Sequence, residues 1–207
     1  MIEKIELGLS LFRYNIEEPN SNWDSKFYAL KSEYNYEDGT VIKNEIGAYF
    51  FYDTKEAAIN TAQVAVANRS ENSFWLTQTS TQQEIKIIDF SNCSSVYDFV
   101  IILNDLEIDI CIKGFKLNGL CRDLSELVNC NNDTRLFPKY PIEIELSYLG
   151  QLLTDFNNGE VFLKLIAKNK MNIDGYKWRE STDGLTYCLF SNDKLSEPIK
   201  EEILNND

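Results

Sequence analysis

No uninterrupted apolar run in this chain exceeds five residues, as over 99–103, and that limit decides what kind of fold is open to it. A helix that crosses a bilayer needs roughly 20 apolar residues, so none is predicted and no membrane partner is expected. Short apolar blocks separated by polar ones predict many short strands and amphipathic helices around a shared core, the α+β pattern. The chain has 207 residues, 43% of them hydrophobic and 13% aromatic. That is enough to bury the core of a single domain over 1–207 without a disulfide or metal staple.

Periodicity sets the expected elements. Residues 3–12 alternate loosely through Ile5, Leu7, Leu9 and Leu11 and predict a strand ending at Arg13-Tyr14. Residues 15–45 are polar, with Pro19 and Asp38-Gly39, and predict a long loop of the sort that serves as a lid or binding loop. Residues 46–52 predict an aromatic strand, followed by an alanine-rich helix over 54–68 capped by Asp53 or Thr54. Residues 74–77 and 84–90 predict strands. Residues 96–103 fit strand or helix, 106–115 alternate as a strand does, 120–130 fit a helix, and 142–149 fit a strand or short helix. Residues 161–170 have helical spacing with a basic last turn, and 171–178 return to strand character. Residues 185–190 read as the final buried strand, and 198–207 as an acidic tail in a solvated helix.

The chain contains no histidine. That removes Ser-His and Cys-His nucleophile pairs, histidine general bases and histidine-ligated metals. Chemistry here must use carboxylates, arginine, hydroxyls or tyrosine, and no metal site is expected. The net charge of −13 repels phosphate backbones, so nucleic acid is not an expected partner. A basic protein partner is favoured by the same field. Five cysteines, none in a C-x-x-C pair, predict free thiols in a reducing compartment. With no basic and apolar leader at Met1-Ile2-Glu3-Lys4, the expected location is cytoplasmic.

Three segments carry a family resemblance. Leu11-Phe12-Arg13-Tyr14 resembles the first-strand arginine of RES-domain toxins and the wider arginine-type ADP-ribosyltransferases. The run from Gly47-Ala48-Tyr49-Phe50-Phe51-Tyr52 into Asp53-Thr54-Lys55-Glu56-Ala57-Ala58 resembles that superfamily's passage from aromatic strand to alanine-rich helix. Ile173-Asp174-Gly175-Tyr176-Lys177-Trp178-Arg179-Glu180-Ser181 is similar to the late D-G-x-x-aromatic segment of RES toxins. The resemblance implies two strongly bent mixed or antiparallel sheets clasping NAD as substrate. It implies an NAD glycohydrolase or ADP-ribosyltransferase, a bacterial toxin or defence effector, with a protein antitoxin or acceptor as partner.

The resemblance also implies roles. Arg13 would hold the pyrophosphate with paired hydrogen bonds, and Tyr49 would stack on nicotinamide. Glu180 would stabilise the positive charge that grows on the ribose as the bond breaks, and Ser181 would touch the nucleotide. Two positions depart from the family pattern. Thr61 stands where RES toxins carry a helix glutamate, and Glu180 stands at their serine position, with Ser181 next. The carboxylate has moved to the late strand, or a one-residue slip hides the match, or the site has decayed. Glu56 is a fallback acid one turn too early. Plainer readings stand beside these roles: Arg13 as a surface ion-pair partner, Tyr49 as strand core, Glu180 as a solvated carboxylate, Asp174-Gly175 as a turn and Cys188 as a core thiol. The alternative function is a non-catalytic acidic module that binds a basic partner.

Overall fold

A computed structural model describes residues 2–18, 33–35, 41–43, 49–69, 71–107, 111–112, 122–130, 136–137, 139–154, 172–181 and 184–204. Its frame is a long antiparallel ribbon. β1 (Ile2–Ile5) and β2 (Ser10–Asn15) form one side, and β6 (Ser73–Ser80) and β7 (Ile85–Asp89) form the other; β1 pairs with β7 and β2 with β6. The single strand predicted over 3–12 is therefore divided, and its second part runs on to Asn15. The break falls at Gly8, whose φ of 93° suits a residue without a Cβ. Thr81 joins the two sides there. Its carbonyl accepts from the Gly8 N–H at 2.8 Å, its N–H donates to the Leu9 carbonyl at 3.0 Å, and its hydroxyl donates to the Glu6 carbonyl at 3.0 Å.

β5 (Tyr49–Tyr52), β10 (Gly175–Ser181), β11 (Gly184–Leu189) and β12 (Ile199–Leu204) complete one eight-stranded sheet in the order β1-β7-β10-β11-β5-β2-β6-β12. Only β7 and β10 run parallel. In a flat sheet β1 and β2, five places apart, would be separated by about 24 Å at ~4.8 Å per strand. The chain from Ile5 to Ser10 spans at most about 17 Å. The sheet must curl on itself, and the expected pair of bent sheets is one continuous curled sheet instead. β3 (Glu33–Asn35) with β4 (Val41–Lys43), and β8 (Cys111–Ile112) with β9 (Arg122–Asp123), form two small antiparallel pairs apart from it.

The curl gives the sheet two unlike faces. On the inner face Leu11, Tyr49, Phe51, Ile85, Ile87, Tyr187 and Leu189 form a closed apolar cluster. Lys177 shares that face, bonded to Glu3 at 2.6 Å and near Asp89 at 3.4 Å. Burial alone would lower its pKa, but the two carboxylates hold it above the usual value. The outer face is covered by helices. Ala62 and Val66 of α1 (Lys55–Arg69) pack on Phe74, with Tyr14 and Ile203 beside them, and Ala58 is buried on the same helix. Tyr176, Trp178 and Cys188 pack under α2 (Val96–Asp105), α3 (Leu124–Val128) and α4 (Ile142–Thr154). No helix among the described residues is long and apolar enough to cross a membrane.

Several expectations change. Thr54 caps α1, its hydroxyl accepting from the Ala57 N–H at 3.1 Å, while Asp53 accepts from the Leu185 N–H at 3.2 Å. Residues 96–103 and 142–149 prove helical, the latter extending to Thr154. Of the helix fitted to 120–130, the described residues form α3, directly after β9. The strand β11 is not the last. The tail after Pro198 is the edge strand β12, not a solvated helix, because the free edge of β6 offers it a full ladder of backbone bonds. Ile203 then turns into the cluster under α1. The loop expected over 15–45 contains β3 and β4; its other residues from 19 on, like the helix expected over 161–170, lie outside the described residues.

Cys93, Cys130 and Cys188 are free thiols. Burial pushes Cys93 up to about 12 and Cys188 higher still. Since the thiolate is the reactive form, a thiol-alkylating reagent at neutral pH should leave both unmodified in folded protein and reach them on unfolding. Mass spectrometry of labelled peptides checks this, and rapid labelling of Cys188 in the native state would contradict the packing.

Candidate active site

The outer face carries a row of paired side chains. Tyr52 stands opposite Thr186, and Thr186 stands opposite Trp178. Beyond Trp178 the β10–β11 register breaks. Arg179 pairs with Leu185 and Ser181 with Gly184, so Glu180 is the extra residue of a bulge, a device that re-aims a side chain. Its carboxylate turns back along β11, where the Thr186 hydroxyl donates to Oε2 at 2.8 Å. The first turns of α1 lie over this spot. Thr54, Glu56, Ala57, Asn60 and Thr61 from the helix side and Tyr52, Glu180, Gly184 and Thr186 from the sheet line a pocket of about 340 Å³.

The pocket's charge is one-sided. Among the described residues it is lined by two carboxylates, Glu56 and Glu180, and by no lysine or arginine. Burial raises the Tyr52 phenol far above its ordinary value, and the Glu180 charge raises it further. Tyr14 is raised by the same two causes in the same order, with Arg69 opposing. Both phenols therefore stay protonated and available as donors. Their rings stack, with centroids 6.5 Å apart and planes inclined by 23°. Thr61 donates its hydroxyl to the Ala57 carbonyl at 3.0 Å.

The residues singled out from sequence fall in two places. Arg13 and Tyr49 are together on the inner face. The Arg13 guanidinium lies 5.7 Å from the Phe51 ring centroid, and Tyr49, 2% exposed, directs its hydroxyl to Asn192 Oδ1 at 3.4 Å. Glu180 is on the outer face, and the sheet separates it from those two. Ser181 follows it as the last residue of β10. Thr61 and Glu56, weighed from sequence, line the Glu180 pocket. Tyr14, Tyr52 and Thr186 were missed, although Tyr14 and Tyr52 stand in the same motifs as Arg13 and Tyr49. Asp174-Gly175 is not a turn: Gly175 opens β10, and the Asp174 carboxylate accepts from the Lys86 N–H at 2.8 Å and pairs with Lys194 at 2.8 Å.

No family model matches this chain, and no curated protein aligns with it. Among solved structures, the crystal structure of the M. tuberculosis MbcT-MbcA toxin-antitoxin complex is similar at 9% identity, with a TM-score of 0.48. The match covers 97% of this chain and 87% of that chain. A likeness of that size does not establish a shared fold, so the pocket's chemistry rests on its own residues.

Proposed function

We propose that the pocket under α1 breaks the nicotinamide–ribose bond of NAD, with Glu180 as the stabilising carboxylate. The observation that carries this reading is a carboxylate fixed by a buried hydroxyl inside a pocket that, among the described residues, is lined by no cation. Oxidised NAD is positively charged at the nicotinamide ring, and its ribose gains positive charge as the bond breaks. A fixed anion there stabilises the transition state more than the ground state. Tyr52 and Tyr14 supply an aromatic stack and protonated phenols for the departing ring. The first turn of α1 gives the pyrophosphate the positive end of a helix dipole.

In this reading the stacking role passes from Tyr49 to Tyr52. Arg13 keeps its clamp role only for a dinucleotide that reaches the inner face. Ser181 keeps its nucleotide contact through its place beside Glu180 in the chain. Whether water or a protein group takes the ADP-ribose, and whether an antitoxin binds, follow from the family resemblance alone. The second reading, an acidic module for a basic partner, is favoured by the net charge of −13.

Nicotinamide diffused into crystals tests the location. It should lie against Tyr52 within hydrogen-bond reach of Glu180 or Thr186. Occupancy beside Tyr49 and Arg13 would return the site to the inner face, and no occupancy with no effect of NAD on stability would favour the interaction module.

A further inference from the structure

Thr186 has no place in the motifs that suggest NAD chemistry, yet its hydroxyl donates to the Glu180 carboxylate at 2.8 Å. Its side chain is 3% exposed, while Glu180 sits at the rim on a bulge that leaves it outside the strand pairing. A glutamate so placed has several open rotamers, and the backbone alone does not choose among them. The Thr186 hydroxyl chooses, and the Tyr52 phenol, also hydrogen-bonded to Glu180, lies on the same side. It lies diagonally behind Glu180 on β11 and next to Tyr52 on β5. Bonding to Oε2 therefore draws the carboxylate over the outer face, toward Tyr52 and α1.

We infer that Thr186 is the positioning residue of the site, holding the Glu180 carboxylate where charge develops on the substrate. The inference rests on the reading of Glu180 as the stabilising acid. A hydrogen bond to an ionised carboxylate is among the stronger kinds in a protein. A buried threonine hydroxyl left without that acceptor would carry its own desolvation cost. Both effects keep the pair together in the absence of substrate, so the carboxylate is preorganised rather than recruited.

Thr186→Val keeps the shape and removes the donor, whereas Thr186→Ser keeps the donor. With NAD as substrate, Thr186→Val should lower kcat for nicotinamide release by about tenfold to a hundredfold, with KM within about twofold. Thr186→Ser should recover most of the loss. Combining Thr186→Val with Glu180→Gln should cost little beyond Glu180→Gln alone, because the two act as one unit. Unchanged kcat in Thr186→Val, or equal losses in the valine and serine variants, would overturn the inference. Crystal structures of both variants decide the point even for a protein that releases no nicotinamide. A carboxylate swung away in Thr186→Val and kept in Thr186→Ser supports the positioning role while the NAD reading falls. A carboxylate unmoved in Thr186→Val removes the role whatever the activity. Should valine disturb the sheet, Thr186→Ala serves in its place.

Discussion

Replacing Glu180 by glutamine should leave NAD binding nearly unchanged and slow nicotinamide release by about a hundredfold or more. Glutamine matches the shape of glutamate and can still accept the Thr186 hydrogen bond found at 2.8 Å. What it lacks is the negative charge that opposes the growing positive charge on the ribose. The loss should therefore appear in kcat rather than KM, because the interaction strengthens as the bond breaks. Thr61→Ala offers a contrast in the same pocket. Its hydroxyl is engaged by the Ala57 carbonyl, so its removal should change turnover by less than about tenfold. Arg13→Ala, across the sheet, should weaken NAD binding only if the dinucleotide touches the inner face. Equal turnover by Glu180→Gln and the parent protein would remove Glu180 from the chemistry.

The second large effect is structural. Gly175→Ala should destabilise the fold by about 3 kcal/mol or more, the range in which backbone must move to admit a group. A Cβ at Gly175 would overlap the Cys188 carbonyl oxygen and stand 3.0 Å from Leu189 Cα. These are main-chain atoms of the paired strand and have no rotamer to change. The cost falls on β10, which carries Tyr176, Trp178 and the Glu180 bulge. For a chain of this size the midpoint of thermal unfolding should drop by about 6 °C or more. Gly150→Ala is the control, since its nearest neighbour is the Trp178 indole nitrogen at 3.5 Å, and it should shift stability by less than about 1 kcal/mol. Equal unfolding temperatures for the parent and Gly175→Ala would mean that the strands do not approach so closely.

Local patterns carried much of the fold. The alanine spacing that predicts a helix over 54–68 places Ala58, Ala62 and Val66 on one buried stripe of α1. The aromatic run over 49–52 and the block over 185–190 are strands in the middle of the sheet. Long-range pairing was not legible. Nothing near Gly8 announces that Thr81 will close a gap with it, and nothing in residues 199–204 announces that they border β6. An acidic tail with apolar residues at both ends is read as a solvated helix, because the free edge that makes it a strand is not visible in the sequence.

The site was half legible for a related reason. Arg13 and Tyr14 are adjacent, as are Phe51 and Tyr52, so each pair divides between the two faces of the sheet. The motif names both members, and only the register decides which one meets the pocket. Tyr52 meets it with Tyr14 stacked behind, while Arg13 and Phe51 turn inward. Glu180 stood out as a carboxylate after an aromatic segment, but the bulge and the Thr186 bond that aim it depend on the β10–β11 pairing. Local periodicity does not contain that information.

The central claim is that this pocket breaks the nicotinamide–ribose bond. The most direct measurement is release of free nicotinamide from NAD labelled in that ring, using the purified chain at several concentrations. The account predicts release in proportion to protein, with NADH not cleaved because its ring is neutral and a poor leaving group, and with release nearly abolished by Glu180→Gln. No release by the unaltered protein, with water, inorganic phosphate and protein acceptors each supplied, would contradict it.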